Sequence, residues 1–206
     1  MKSIKYLFYC LFLFNLLTAC SKNDEIVIPD FNLQTPDNLD IDEYKIYSLI
    51  LNEVYTASEH FVVKQQTSTS ISISINDSYY AILLANTPNL DTTIFANFIE
   101  RNDSAYQLAY GFSGLIKPIT LISEEETDFF FNNPSINKSW ETFYKKYPNS
   151  NGMIDFTRVG FNADKSQAIV EFGHYYASLG ANGSLVYLVK EDNKWVIIKL
   201  LYTWIS

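Results

Sequence analysis

Cysteine, histidine and arginine are nearly missing from this 206-residue chain, which holds two of each. Cys10 lies inside an apolar N-terminal run and Cys20 at its end, so the body of the chain has no thiol pair. That excludes a disulfide framework, cysteine-based metal sites and a cysteine nucleophile. Basic residues are scarce as well: 15 Lys and Arg face 23 Asp and Glu, a formal charge of −8 with no basic block. Phosphate neutralisation dominates nucleic-acid affinity, so nucleic acid is excluded as a partner. No apolar stretch reaches the roughly 20 residues of a comfortable membrane span. Solenoid-type repeats, an EF-hand loop, a Walker A loop and a His-Glu-x-x-His pair are all absent. Gly111-Phe112-Ser113-Gly114 lacks the spacing of a nucleophile elbow.

What is present begins at the N-terminus. Lys2 and Lys5 precede an apolar run from Tyr6 to Leu17, then Leu17-Thr18-Ala19-Cys20 and the polar Ser21-Lys22-Asn23-Asp24-Glu25. A basic start, a short apolar segment and small residues before a cut site predict a secretory signal peptide over 1–19. Leu17-Thr18-Ala19-Cys20 resembles the lipobox of bacterial lipoproteins. The resemblance implies cleavage before Cys20, lipidation of that cysteine and attachment to a membrane through the lipid. Ser21-Lys22-Asn23-Asp24-Glu25 is similar to the acidic export signal that sends some Gram-negative lipoproteins to the outer face of the outer membrane. The expected location is therefore the outer membrane, with the domain either displayed at the surface or facing the periplasm. Residues 20–40, with Pro29, Pro36 and scattered apolar side chains, are expected to form a tether.

Residues 41–206 are expected to form a single α+β domain, since no internal linker divides them. Tyr44, Tyr47, Leu51, Val54 and Tyr55 recur at helical spacing behind Asp40-Ile41-Asp42-Glu43, predicting a helix to about Glu59. Strict alternation over Ser70–Ile75 predicts a half-buried strand with a serine face and an isoleucine face. Tyr79–Leu84 fits helix or strand, and Thr92–Arg101 fits a helix. Ser123-Glu124-Glu125-Glu126 has the form of a capping box for a helix through Phe131, and a further helix fits Lys138–Tyr147.

After Gly152 the texture changes to strand-like runs at Ile154–Phe161, Ala168–Phe172, Ser184–Val189 and Trp195–Leu200. They are separated by Asn162-Ala163-Asp164, Gly180-Ala181-Asn182-Gly183 and Glu191-Asp192-Asn193, each expected to turn the chain. Short connections predict an antiparallel meander of about four strands, with the N-terminal helices packed on one face. A 16% aromatic content supports a real core. Thr157 to Asn162, Ala168-Ile169-Val170, Gly183-Ser184, Lys194-Trp195 and Trp204-Ile205-Ser206 together resemble a pattern of uncharacterised exported bacterial proteins. That likeness covers about the last fifty residues and implies a fold unit but no activity.

Two constellations could carry chemistry. Arg158, Glu171 and His174 fall on the first two expected meander strands and could form an acid–base or carboxylate-binding cluster. A cross-strand ion pair beside a surface histidine explains the same residues. Tyr175 and Tyr176 could form an aromatic binding surface, whereas Trp195 and Trp204 fit the core. Consecutive acids at Glu124–Glu126 suit a helix N-terminus better than a metal site, and no metal or cofactor is expected. The expected role is a non-enzymatic binding or assembly module for an envelope protein, peptide or glycan. An envelope hydrolase or other enzyme built on Arg158, Glu171 and His174 is the alternative.

Overall fold

The computed structural model describes residues 26–72, 78–136 and 138–206. Cys20 and its neighbours lie outside them, as do Ile73–Ile75. The fold is α+β, as expected. The first helix, α1 (Ile41–Val54), starts where its sequence says it should. Asp40 caps it by accepting from Asp42 N–H, and the Glu43 side chain reaches back to Asp40 N–H, closing a capping box. Then come β1 (Phe61–Lys64), α2 (Ser78–Asn86), α3 (Thr93–Arg101), β2 (Ile119–Ile122), α4 (Glu124–Phe131) and α5 (Ser139–Lys146). The C-terminal third supplies β3 (Met153–Phe156), β4 (Gly160–Phe161), β5 (Gln167–Ala177), β6 (Gly180–Glu191) and β7 (Lys194–Ile205). No helix among the described residues is long and apolar enough to cross a membrane.

The expected four-strand meander is too small. One seven-stranded sheet runs β2-β1-β3-β5-β6-β7, with β4 also paired to β5. β5, β6 and β7 form the antiparallel meander, and β3 joins β5 antiparallel. β1 pairs parallel with both β2 and β3, so the N-terminal half contributes two strands that the sequence reading missed. Parallel neighbours need crossovers. The stretch holding α2 and α3 connects β1 to β2, and that holding α4 and α5 connects β2 to β3.

Helices cover both faces rather than one. Along β5, Ala168, Val170 and Phe172 join the α1 core with Tyr47, Ile50 and Leu51. Ile169, on the opposite face, joins Leu185 and Tyr187 beneath Phe95 and Phe98 of α3. Val62 and Met153 of the same second face pack under Phe130 of α4 and Phe143 of α5. The result is three layers, with the second face carrying two separate helical groups.

Two local expectations shift. The β5–β6 reversal falls at Ser178-Leu179, so Gly180-Ala181-Asn182-Gly183 belongs to β6. Asp192 and Asn193 do turn the chain, both with positive φ (47° and 62°), the form a two-residue hairpin favours. Ser70–Ser72 enters no strand, although Ile71 packs into the α3 cluster and Ser68 and Ser70 face away from it. Part of the expected tether is also folded down. Phe31 meets Phe129 at 5.4 Å, and Gln34 exchanges hydrogen bonds with Gln65 at 2.8 and 2.7 Å.

Candidate functional site

Between the two helical groups, no helix of the described residues covers the second sheet face. One row of residues crosses it: Asp155 on β3, Gly173 on β5, Gly183 on β6 and Trp204 on β7 are successive cross-strand neighbours. The two glycines make a hollow. A Cβ on Gly183 would overlap the Trp204 indole, and one on Gly173 would lie 2.5 Å from Asp155 Oδ1 and 2.7 Å from the Tyr175 hydroxyl. The absence of side chains therefore lets the ring of Trp204 lie against the strand and brings Asp155 and Tyr175 together.

Ser68, Ser70, Asp155, Glu171, Tyr175 and Trp204 line a small pocket of about 90 Å³ here. It shares Ser68, Ser70 and Asp155 with a larger one of about 350 Å³, walled by Lys64, Glu124 and Asp128. The two make one groove with aromatic rings at one end and acids along it. Tyr175 and Trp204 stand 5.9 Å apart, tilted by 44°.

Asp155 is the electrostatic centre. Its carboxylate accepts from Gly173 N–H at 2.9 Å and from the Tyr175 hydroxyl at 3.1 Å. Lys64 Nζ lies 3.8 Å away and also 4.9 Å from the Tyr175 ring centroid. Burial dominates these contacts and pushes the carboxyl above its ordinary 3.8; Lys64, Tyr175 and Gly173 offset it only in part. The Tyr175 hydroxyl is pushed up by burial and by Asp155 beside it. Glu171 accepts from Ser72 N–H at 2.9 Å through both oxygens. Such a floor offers acceptors to a ligand that carries hydroxyl, amide or amine donors.

The three residues expected to form an acid–base cluster do not come together. Arg158 lies under the first turn of α1, donating to Glu43 through Nε and Nη2 at 2.8 Å each and stacking 3.9 Å over Tyr106. Glu171 faces the groove on the other side of the sheet. Backbone adjacency was right, since Thr157 N–H donates to the Glu171 carbonyl at 2.9 Å, but the neighbouring Arg158 side chain turns to α1. His174 is on the α1 face too, but beyond the other end of the helix, with its ring 4.9 Å from Tyr55.

Tyr175 and Tyr176 likewise part company. Alternation along β5 sends Tyr175 into the groove and Tyr176 to the opposite face, 5.1 Å from the His174 ring. Trp195 is buried beside Phe161, as a core residue should be. Trp204 lines the groove instead of filling the core.

Sequence reasoning passed over Asp155. Its signal was a lone acid inside the otherwise apolar Met153-Ile154-Asp155-Phe156. Glu126, in the run of acids opening α4, is buried and taken by the Tyr147 hydroxyl and Lys146 Nζ, both at 2.6 Å. No group of three or more His, Cys, Asp or Glu able to hold a metal occurs among the described residues. No protein-family model, curated protein or solved structure matches the chain.

Proposed function

We propose that this chain is a lipid-anchored binding module of the bacterial outer membrane, tethered through Cys20, which captures a protein, peptide or glycan of the envelope. The groove on the second sheet face is the observation that supports the binding role. A buried, incompletely compensated carboxylate costs folding energy, and it stands beside two aromatic rings over a glycine floor. Acids outnumber the single Lys64 around it, which favours segments bearing hydrogen-bond donors over anionic ones. An acid–base centre of Arg158, Glu171 and His174 finds no support in the three separate environments they occupy.

Anchoring rests on the Leu17-Thr18-Ala19-Cys20 sequence. Cys20→Ala is expected to abolish metabolic palmitate labelling and to release the protein from the membrane fraction; persistent labelling contradicts it. Surface display predicts digestion of the domain by protease added to intact cells. Survival there, with digestion only after the outer membrane is permeabilised, would place it inside. Binding is tested by pull-down from detergent-solubilised envelope with wild type and Trp204→Ala. A partner retained by wild type and lost by the variant supports the groove, and equal retention removes it from the binding surface.

A further inference from the structure

A second, chemically different pocket lies on the opposite face of the sheet, beyond the C-terminal end of α1. Its volume is about 210 Å³, below the usual range for drug-sized ligands and suited to a single small ring. Phe172 and Leu200 give it an apolar wall. Val54 and Ala57 add to that wall, the rest of the lining carries polar groups, and no acid, lysine or arginine is part of it.

Several of its polar side-chain groups make no hydrogen bond among the described residues. The Tyr55 hydroxyl is buried and makes no hydrogen bond among the described residues, although the residue is only 7% exposed. Burying a hydroxyl in this way is costly and uncommon. His174 is 8% exposed, and its Nε2 faces the Asn151 carbonyl. A carbonyl only accepts, so Nε2 carries the proton. Burial pulls the imidazole below its ordinary 6.5, so at neutral pH the ring is uncharged and Nδ1 is a bare acceptor. No side-chain hydrogen bond among the described residues engages Asn182, Ser184 or Tyr202, which also line it.

We infer that this pocket binds one ring of a neutral, polyhydroxylated ligand, a sugar, held by Tyr55, His174, Asn182 and Ser184. The lining combines donors and acceptors with apolar side chains, and a sugar ring offers the same mixture: hydroxyls that both donate and accept, and one face of C–H groups. Uncharged walls would leave an ammonium, carboxylate or phosphate without a counter-ion. This site is separate from the groove and stands or falls independently of it.

The full-length protein in detergent micelles provides the test. Glucose, galactose and N-acetylglucosamine are titrated to about millimolar levels, the range of weak single-ring binding, while the His174 imidazole nitrogens are followed by NMR. The expected result is a saturable shift of Nδ1 with at least one sugar. Tyr55→Phe keeps the ring and removes only an unpartnered hydroxyl, so it should melt no lower than wild type. It should nevertheless bind that sugar about tenfold more weakly, one hydrogen bond's worth. Unmoved His174 signals with all three sugars would overturn the inference. So would a Tyr55→Phe protein that binds as tightly as wild type.

Discussion

Of the carboxylates buried in this fold, the chain treats two, Glu43 and Asp155, in opposite ways. Glu43, on α1, is fully buried, and both arginines of the chain converge on it: Arg101 at 2.6 Å, and Arg158 in two bonds at 2.8 Å. Val159 N–H and Asp40 N–H, at 3.2 Å each, and the Tyr47 hydroxyl at 3.4 Å also donate to it. Burial opposes the charge on Arg158, yet the bonds to Glu43 outweigh it and hold the guanidinium above its ordinary pKa. Asp155, on the other face, has one lysine at 3.8 Å and a carboxyl pushed above its ordinary value by burial. The first arrangement joins α1 to the β3–β4 bend and the end of α3, so it is architecture. The second leaves unused acceptor capacity in a groove. Burial alone therefore does not mark a site; how far a buried charge is satisfied does.

Mutation can break that contrast. Glu43→Ala strips both arginines of their partner and is expected to cost about 3–5 kcal/mol by chemical denaturation, the usual penalty for orphaning a buried pair. A loss below about 1 kcal/mol would deny Glu43 its structural role.

Asp155→Asn should act the other way. Asn keeps an oxygen for Gly173 N–H, and the Tyr175 hydroxyl can rotate to accept from the amide. A gain on the order of 1 kcal/mol is expected at neutral pH, because the amide buries no charge. The sign follows from linkage. Folded Asp155 holds its proton more tightly than unfolded Asp155, so wild-type stability falls as pH rises from 3.8 through the raised value. The advantage of Asn should therefore vanish below about pH 3.8, and a pH-independent difference would contradict the assignment.

His174 gives a slope of the opposite sign. Its folded pKa lies below 6.5, so the unfolded chain binds the proton first. Stability should fall as pH drops from about 6.5 through the lowered value, and His174→Gln should flatten that part of the curve. The smallest effect belongs to the exposed Lys138–Glu141 pair at 2.7 Å on α5. Lys138→Ala should leave the melting temperature unchanged, because exposed pairs are screened and cost side-chain entropy.

Legibility in the sequence followed how local each signal was. Helix α1 was plain, because its apolar period and its capping acids lie within one segment. The runs of β5, β6 and β7 were visible for the same reason. β1 and β2 were not: each has four residues, and their partners lie parallel and far along the chain. Gly180–Gly183 looked like a turn because glycine usually punctuates. Here Gly183 is small to admit the Trp204 ring, a lateral requirement with no sequence signature. Of the groove, Glu171 and Tyr175 drew attention, but in other company: Glu171 with Arg158 and His174, Tyr175 with Tyr176. Their company could not be foreseen, since pairing across four strands decides it.

The central claim is that Asp155 is kept for a ligand at the expense of stability. It is tested most directly by placing a photo-crosslinking amino acid at Ser70, in the groove wall, in full-length protein in intact cells. The same experiment is then repeated in the Asp155→Asn background. The account predicts a discrete adduct that disappears in the Asn variant while the purified variant unfolds at higher denaturant. An adduct that persists undiminished in that variant, or none in either protein, would contradict it.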